Sequence, residues 1–571
     1  MDKNVDPCVD FNAYACGGFS QRADDFAFHK TTNKFQLLRD ENMHLIRTIL
    51  DPNNLHFEEE TAYDAASRTN LRKARNFYSS CMDEDQILRR GHYPLLAEIR
   101  KILRKIYVSD GYFERFQSNA ERPEGAGSLM SSASRIDKHA LSTTLAYFNK
   151  LGLDAVLLLG TFVDVENPQK WILKVDSGGV GMASSDPYFW DDEKTAYVKL
   201  ISNMFSLILR NDNDDPSNST EGTLPTWKEA AEEVLRFEQR LVAIFMLLDV
   251  QTEEALDYTA VAINSLHKMM PSLDWPLFLE RALPAGVNRE RPVEPLNNQG
   301  SARLERWKYC AGITSVGLGD LIGPYLAEKI LEKNSRSVVQ SMISSLQIAF
   351  KGSFDRLLWF DRSVATAARN KMDAVIASIG LSDDHPYVGT VETLHLYENC
   401  QVTSSDFFGN QLRVGACNTK ISLYKLDKIV DRTSPTKPPH AVNVFFDQTQ
   451  NKIEVPIGIL QPPFFHSDYP ECINYGSIGF MLSHALTHGF DYLGRRFDGS
   501  GRKVEWWPDS VADAYKNRSR CFVDQYNKFG LNGTLTLEEN IADSSGLDNA
   551  FRAWKELYDN DMEENVSATT G

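Results

Sequence analysis

Asn474-Tyr475-Gly476-Ser477-Ile478-Gly479-Phe480-Met481-Leu482-Ser483-His484-Ala485-Leu486-Thr487-His488-Gly489-Phe490-Asp491 is the stretch on which the reading of this chain turns. His484 and His488 stand four residues apart, so on a helix both imidazoles leave one face and can share a metal ion. Ile478, Met481, Leu482 and Ala485 supply apolar packing around them, and Gly489 is suited to stop the helix. Twelve histidines in 571 residues give roughly 0.25 chance pairs at this spacing. Read alone, the pair also suits two satisfied core histidines.

A second segment, Thr536-Leu537-Glu538-Glu539-Asn540-Ile541-Ala542-Asp543, sets Glu539 and Asp543 one helical turn apart. A catalytic tetrahedral zinc takes three protein ligands and keeps one position for water, and Glu539 completes a two-histidine, one-glutamate set. Asp543 then accepts a hydrogen bond from a ligand imidazole and fixes its tautomer. By spacing alone, these acids also suit a helix start favoured by the dipole. The peptidase form of the histidine motif is H-E-x-x-H, whose glutamate polarises the zinc-bound water. Ala485 occupies that position here.

At 571 residues the chain is too long for one ordinary core, so two or more lobes are expected. Its 61 basic and 78 acidic residues leave a formal charge of −17, which argues against nucleic-acid or anionic-membrane partners, because both need a cationic field. No run of about 18 apolar residues is present to span a bilayer, and Met1 to Cys8 lacks the apolar stretch of a signal peptide. Either the protein is cytosolic or its targeting segment has been removed. The eight cysteines (Cys8, Cys16, Cys81, Cys310, Cys400, Cys417, Cys472 and Cys521) include no C-x-x-C pair. They suit disulfides in an oxidising compartment, with buried free thiols of a cytosolic enzyme as the other option. Sequons at Asn218, Asn517, Asn532 and Asn565 favour a glycosylated, extracellular setting.

Periodicity predicts a mainly α protein with smaller β elements. Leu37, Leu38, Ile46 and Ile49 set a helical pattern within Phe35 to Glu98. Residues 123–136 and 211–226 read as loops. Ala155 to Val165 reads as a buried strand, with Trp171 to Val175 as its hairpin partner. Long helices are expected over Trp227–Leu248 and Ala327–Leu358. The Pro-rich break Ser434-Pro435-Thr436-Lys437-Pro438-Pro439 precedes strands at Val442–Phe446 and Lys452–Ile457 and then a helix, so a lobe boundary is placed near residue 435, giving 1–434 and 435–571.

Together these segments resemble the neprilysin and endothelin-converting-enzyme family of zinc endopeptidases. The motifs in family order are Asp6-Pro7-Cys8-Val9-Asp10-Phe11 with Tyr14-Ala15-Cys16-Gly17-Gly18-Phe19; Val442-Asn443-Val444-Phe445-Phe446; Ile459 to Phe465; Asn474-Tyr475-Gly476; His488-Gly489-Phe490-Asp491; Trp506-Trp507; and Glu539 to Asp543. The resemblance implies a two-lobed, zincin-type ectodomain with its active site between a helical lobe and a catalytic lobe. It implies one zinc ion on His484, His488 and Glu539, with Asp543 and Asp491 as outer supports. Asn443 and the Val444 backbone would hold a peptide as an added strand. Ile459, Phe464, Phe480 and Met481 would line the pocket for an apolar residue after the scissile bond, with Phe35 and Arg39 on the opposite wall. Substrates would be small peptides, and the whole protein secreted or membrane-anchored.

Two departures qualify this. Ala485 removes the general base, a loss worth about 10² to 10⁴ in rate, so the chain is expected to be inactive or strongly impaired. A non-catalytic peptide- or zinc-binding relative is the alternative. The family also continues past residue 571 with an oxyanion-stabilising histidine and a substrate-gripping arginine, so a C-terminal truncation is expected. The resemblance pairs Cys81 with Cys310, and Cys400 with Cys417 is the expected local bridge. Partners for Cys8, Cys16 and Cys521 would lie in the absent stretch.

Overall fold

A computed structural model describes residues 2–6, 8–20, 33–54, 65–106, 138–153, 155, 157–177, 191–209, 227–251, 305–381 and 391–570. Helices dominate: α1 (Phe11–Ser20), α2 (Lys34–Leu50), α3 (Ala65–Met82), α4 (Glu84–Arg90), α5 (Tyr93–Ile106) and α6 (Lys138–Lys150) come first. The hairpin β1 (Leu157–Val163) and β2 (Trp171–Ser177) follows, then α7 (Asp191–Leu209), α8 (Trp227–Gln251), α9 (Arg306–Ile330), α10 (Ser335–Phe354), α11 (Arg362–Asp373) and β3 (Ile376–Ile379). The remainder is α12 (Val391–Glu398), α13 (Phe407–Tyr424), β4 (Phe445–Asp447), β5 (Lys452–Val455), α14 (Glu471–Asn474), α15 (Phe480–Thr487), α16 (Asp509–Lys528) and α17 (Leu537–Thr570). This is the mainly α class with small β elements expected from periodicity.

Local chemistry sets several of these boundaries. Asn33, Asp361 and Asp406 cap α2, α11 and α13, each accepting a hydrogen bond from a backbone N–H of the first turn. The expected hairpin forms, with Leu157 opposite Ser177 and Val163 opposite Trp171. The single helix expected over Ala327–Leu358 is instead two, because Leu331 takes extended backbone (φ −81°, ψ 121°) and α10 restarts at Ser335. The strand expected at Val442 begins three residues later, at Phe445. Its partner ends at Val455, since Pro456 has no N–H to donate and leads into a 3₁₀ turn at Ile457–Ile459. The loops expected at 123–136 and 211–226 lie outside the described residues.

Two cores organise the fold. One gathers Leu38 of α2, Leu346 of α10, Ile453 and Val455 of β5, Leu482 and Leu486 of α15, and Ala550 and Ala553 of α17. The other joins α2, α3, α9 and α13 through residues such as Ile49, Leu71, Leu318 and Val414, and it contains the Cys81–Cys310 and Cys400–Cys417 disulfides. Cys8, Cys16, Cys472 and Cys521 are free and exposed. The first core crosses the Pro-rich break: β3 pairs in parallel with β5 in a sheet ordered β3-β5-β4. Glu454 of β5, buried beside Lys452 (3.1 Å), accepts from Thr436 and Lys437 and ties that break to the sheet.

Candidate metal centre

The histidine helix is built as a continuous run. α14 passes through a π-helical stretch, Tyr475–Gly479, into α15. Such wide turns recur at functional sites because they redirect side chains and release backbone donors. Here the Ile478 N–H donates to Phe464 O (3.1 Å) instead of to the helix ladder, and Ser477 Oγ donates to the same carbonyl (2.7 Å). The turn carrying Phe464 is thereby fixed against the helix. Ile478, Leu482, Ala485 and Leu486 are fully buried, which leaves His484 and His488 facing the other way, only partly covered.

Both imidazoles are held from behind. His484 Nδ1 lies 2.9 Å from Asp543 Oδ1, and His488 Nδ1 lies 2.8 Å from Asp491 Oδ2. Asp491 is almost completely buried, and its other oxygen accepts from the N–H groups of Leu493 (3.0 Å) and Gly494 (2.7 Å). With each Nδ1–H donated to a carboxylate, each Nε2 is the nitrogen left to ligate. The two Nε2 atoms are 3.1 Å apart. Glu539 Oε2 lies 3.4 Å from His484 Nε2, and Oε1 lies 3.8 Å from His488 Nε2. One ligand atom from each of the three residues falls within 4.8 Å of the others.

These separations fit a shared cation. Ligands about 2.0–2.1 Å from a tetrahedral zinc stand roughly 3.3 Å from one another. Two imidazole lone pairs this close repel unless something positive lies between them. Burial works against charge on His484, yet its hydrogen bonds to Asp543 and Glu539 outweigh that and raise its pKa to about 9. Glu539 is correspondingly held below the usual carboxylate range, chiefly by its hydrogen bond to His484. Burial, reinforced by the Asp491 charge, raises the neighbouring Glu538 to about 7. The donor set thus already gathers positive charge where a metal ion would sit.

Glu539 and Asp543 arrive on α17, which packs along α15. The helices approach closely at Gly546, where a Cβ would stand 2.9 Å from His484 N and 3.0 Å from its Cα. Any side chain there would push the two helices apart.

The remaining expected residues divide into two groups. Phe480 is half-buried with its ring 6.1 Å from that of His484. Phe35 of α2 packs its ring 4.6 Å from that of Phe464. Arg39 is exposed, and half-buried Asn443 accepts the Val444 N–H (2.9 Å) through Oδ1. By contrast Val444, Ile459, Phe464 and Met481 are buried members of the first core, Ile459 completely so. Ala485 is also fully buried in that core. Lys371, which holds the loop after His488, has no local sequence signal: an isolated lysine in Arg369-Asn370-Lys371-Met372-Asp373 reads as a solvated helix face.

Comparison with known proteins shows the family and the fold. Residues 7–297 and 294–382 match one model, and residues 443–570 a second, both described as peptidase family M13. An endothelin-converting enzyme homolog of Locusta migratoria is 27% identical over 97% of this chain and 80% of its own length. Endothelin-converting enzyme 1 of Homo sapiens is 25% identical over 100% of this chain and 76% of its own. Among solved structures, the zinc metalloprotease ZMP1 of Mycobacterium tuberculosis, in complex with an inhibitor, superposes with TM-score 0.71 at 20% identity, covering 98% of this chain and 86% of that one. PEPO of Lactobacillus rhamnosis gives TM-score 0.70 at 16% identity, covering 95% and 86%. The fold is the two-lobed one of these proteins.

Proposed function

The chain belongs to peptidase family M13, and from that premise we propose that it is a neprilysin-type zinc endopeptidase chain whose metal- and peptide-holding groups are in place while hydrolysis is crippled by Ala485. The carrying observation is the convergence of His484 Nε2, His488 Nε2 and a Glu539 carboxylate oxygen within 4.8 Å. These three would hold one zinc ion, which when bound supplies a Lewis acid and lowers the pKa of a water. Asp543 and Asp491 fix the tautomers of the two ligand imidazoles.

Peptide binding draws on the sheet. β4 is the last strand of the order β3-β5-β4, so its outer edge has no strand partner among the described residues. An extended peptide would add there, held by Asn443 and the Val444 backbone. Half-buried Phe480, with Phe35 and Arg39 opposite and the buried Met481, Ile459 and Phe464 packed behind, would favour an apolar residue after the scissile bond. The zinc-carrying lobe would then comprise residues 435–571 together with α10, α11 and β3, which share its core and sheet, and the remaining helices of 1–434 would form the other lobe. At Ala485 a methyl stands where a carboxylate would take the proton from the attacking water and pass it to the leaving nitrogen. Losing a positioned base costs about 10² to 10⁴ in rate. The two disulfides support a secreted or membrane-anchored extracellular setting.

A second reading, a non-catalytic zinc- and peptide-binding pseudopeptidase, draws on the complete burial of Ala485. One measurement tests the metal site common to both readings, and a second separates them. Dialysis against zinc should load about one equivalent, and less than about a tenth of an equivalent sinks the site. Ala485→Glu, in a chain extended by the family's C-terminal stretch, should raise cleavage of peptides before apolar residues about 10² to 10⁴-fold over the equally extended parent. A folded, zinc-loaded Ala485→Glu protein with no gain favours the pseudopeptidase, and appreciable chelator-sensitive turnover by the parent refutes the impairment.

A further inference from the structure

We propose that Lys371 is a positioning residue for His488, acting through the loop that follows the histidine helix; the inference rests on the zinc reading above. Lys371 lies on α11, far from His488 in sequence, and is only 2% exposed. A buried ammonium is tolerated only where all three of its protons find acceptors. Its Nζ donates to three backbone carbonyls, Gly489 (2.6 Å), Gly494 (2.6 Å) and Phe497 (2.7 Å), and lies 5.2 Å from the centre of the Phe490 ring.

All three acceptors belong to residues 489–497, the segment that begins directly after His488. The same segment carries Asp491, whose carboxylate takes the N–H groups of Leu493 and Gly494 on one oxygen and His488 Nδ1 on the other. Gly494 folds back so tightly that a Cβ would lie 1.9 Å from His488 O. The loop is therefore a closed ring of contacts. Lys371 occupies its centre, Asp491 points from it to the ligand imidazole, and Asn451 ties its far end to α11 by donating to Lys371 O (3.0 Å) and Gly499 O (3.1 Å). Without the ammonium, three buried carbonyls lose their donor and the ring loosens. The carboxylate that orients His488 then drifts.

The test uses the full chain with Lys371→Met, Lys371→Gln and, as a control, Lys452→Met. Lys452 is a second buried lysine, bonded to Ser434 O and Glu454 and not to this loop. Amide exchange of Leu493 and Gly494 in metal-free protein reads the clamp, and zinc affinity by chelator competition reads its consequence. Lys371→Met should speed exchange of those two amides at least tenfold and weaken zinc binding about 10- to 100-fold, while Lys452→Met leaves both within threefold. Unchanged exchange, or zinc affinity within threefold of the parent, overturns the proposal. Should Lys371→Met not fold, Lys371→Gln carries the same test with the same thresholds. A parent that binds no zinc refutes the metal site itself, a result distinct from a clamp that fails to loosen.

Discussion

The two faces of α15 differ more than neighbouring residues usually do. On one, Leu482, Ala485 and Leu486 are sealed in the larger core. On the other, His484 and His488 are partly open, and each is backed by a carboxylate. His484 and Ala485 are adjacent in sequence, yet one belongs to a polar network and the other to packing. The difference teaches that the metal centre does not need the residue at 485 for its assembly. Asp491 and Asp543 orient the two imidazoles, so on the proposed reading a chain could lack a base at 485 and still hold a cation.

The sharpest way to break this comparison is to remove a ligand. A structural zinc contributes about 10–16 kcal/mol, so one ligand of three is worth roughly 3–5 kcal/mol. His488→Ala should therefore weaken zinc binding about 10² to 10⁴-fold, measured by chelator competition, with little change in metal-free unfolding. The core face should respond in the opposite sense. Leu482→Ala should cost about 2–5 kcal/mol in denaturant unfolding while the folded protein keeps its zinc affinity within threefold. Equal losses in both assays from both variants would erase the distinction between the faces. One step out, Asp543→Asn should weaken zinc about 10- to 100-fold and bring the His484 pKa down from about 9, visible by NMR titration.

The pH dependence sharpens the comparison without a substitution. The folded pKa of His484, about 9, lies above its ordinary 6.5. Its pairing with Asp543 and Glu539 thus stabilises the metal-free fold fully below about pH 6.5 and loses that contribution as pH rises through 9. Zinc must displace the same proton, so affinity should rise by up to about tenfold per pH unit between 7 and 9 and then level off. A flat profile in calorimetric titrations across that range would place the proton elsewhere.

Much of this was legible because it is local. Two histidines four apart, two acids four apart and an alternating strand each state their geometry within one turn or one pleat. The break at Leu331–Asn334 was missed because apolar residues continue on both sides of it, although Asn334-Ser335 carries a helix-start signal. Val444 and Ile459 illustrate the opposite limit: a motif names them, but only packing shows that their side chains lie in the core. Lys371 was illegible for a stronger reason. Its acceptors are backbone carbonyls more than a hundred residues away, and no side-chain pattern encodes a carbonyl.

Gly546 gives the metal centre its gauge. A single hydrogen in place of a methyl sets the spacing between α15 and α17, and Glu539 sits about two turns upstream on that same rigid rod. The reach of the Glu539 carboxylate toward the two imidazoles is thus metered by Gly546. Among relatives with a larger side chain at this point, the carboxylate would have to come forward by some other route, or the cation would be left with only two nitrogens.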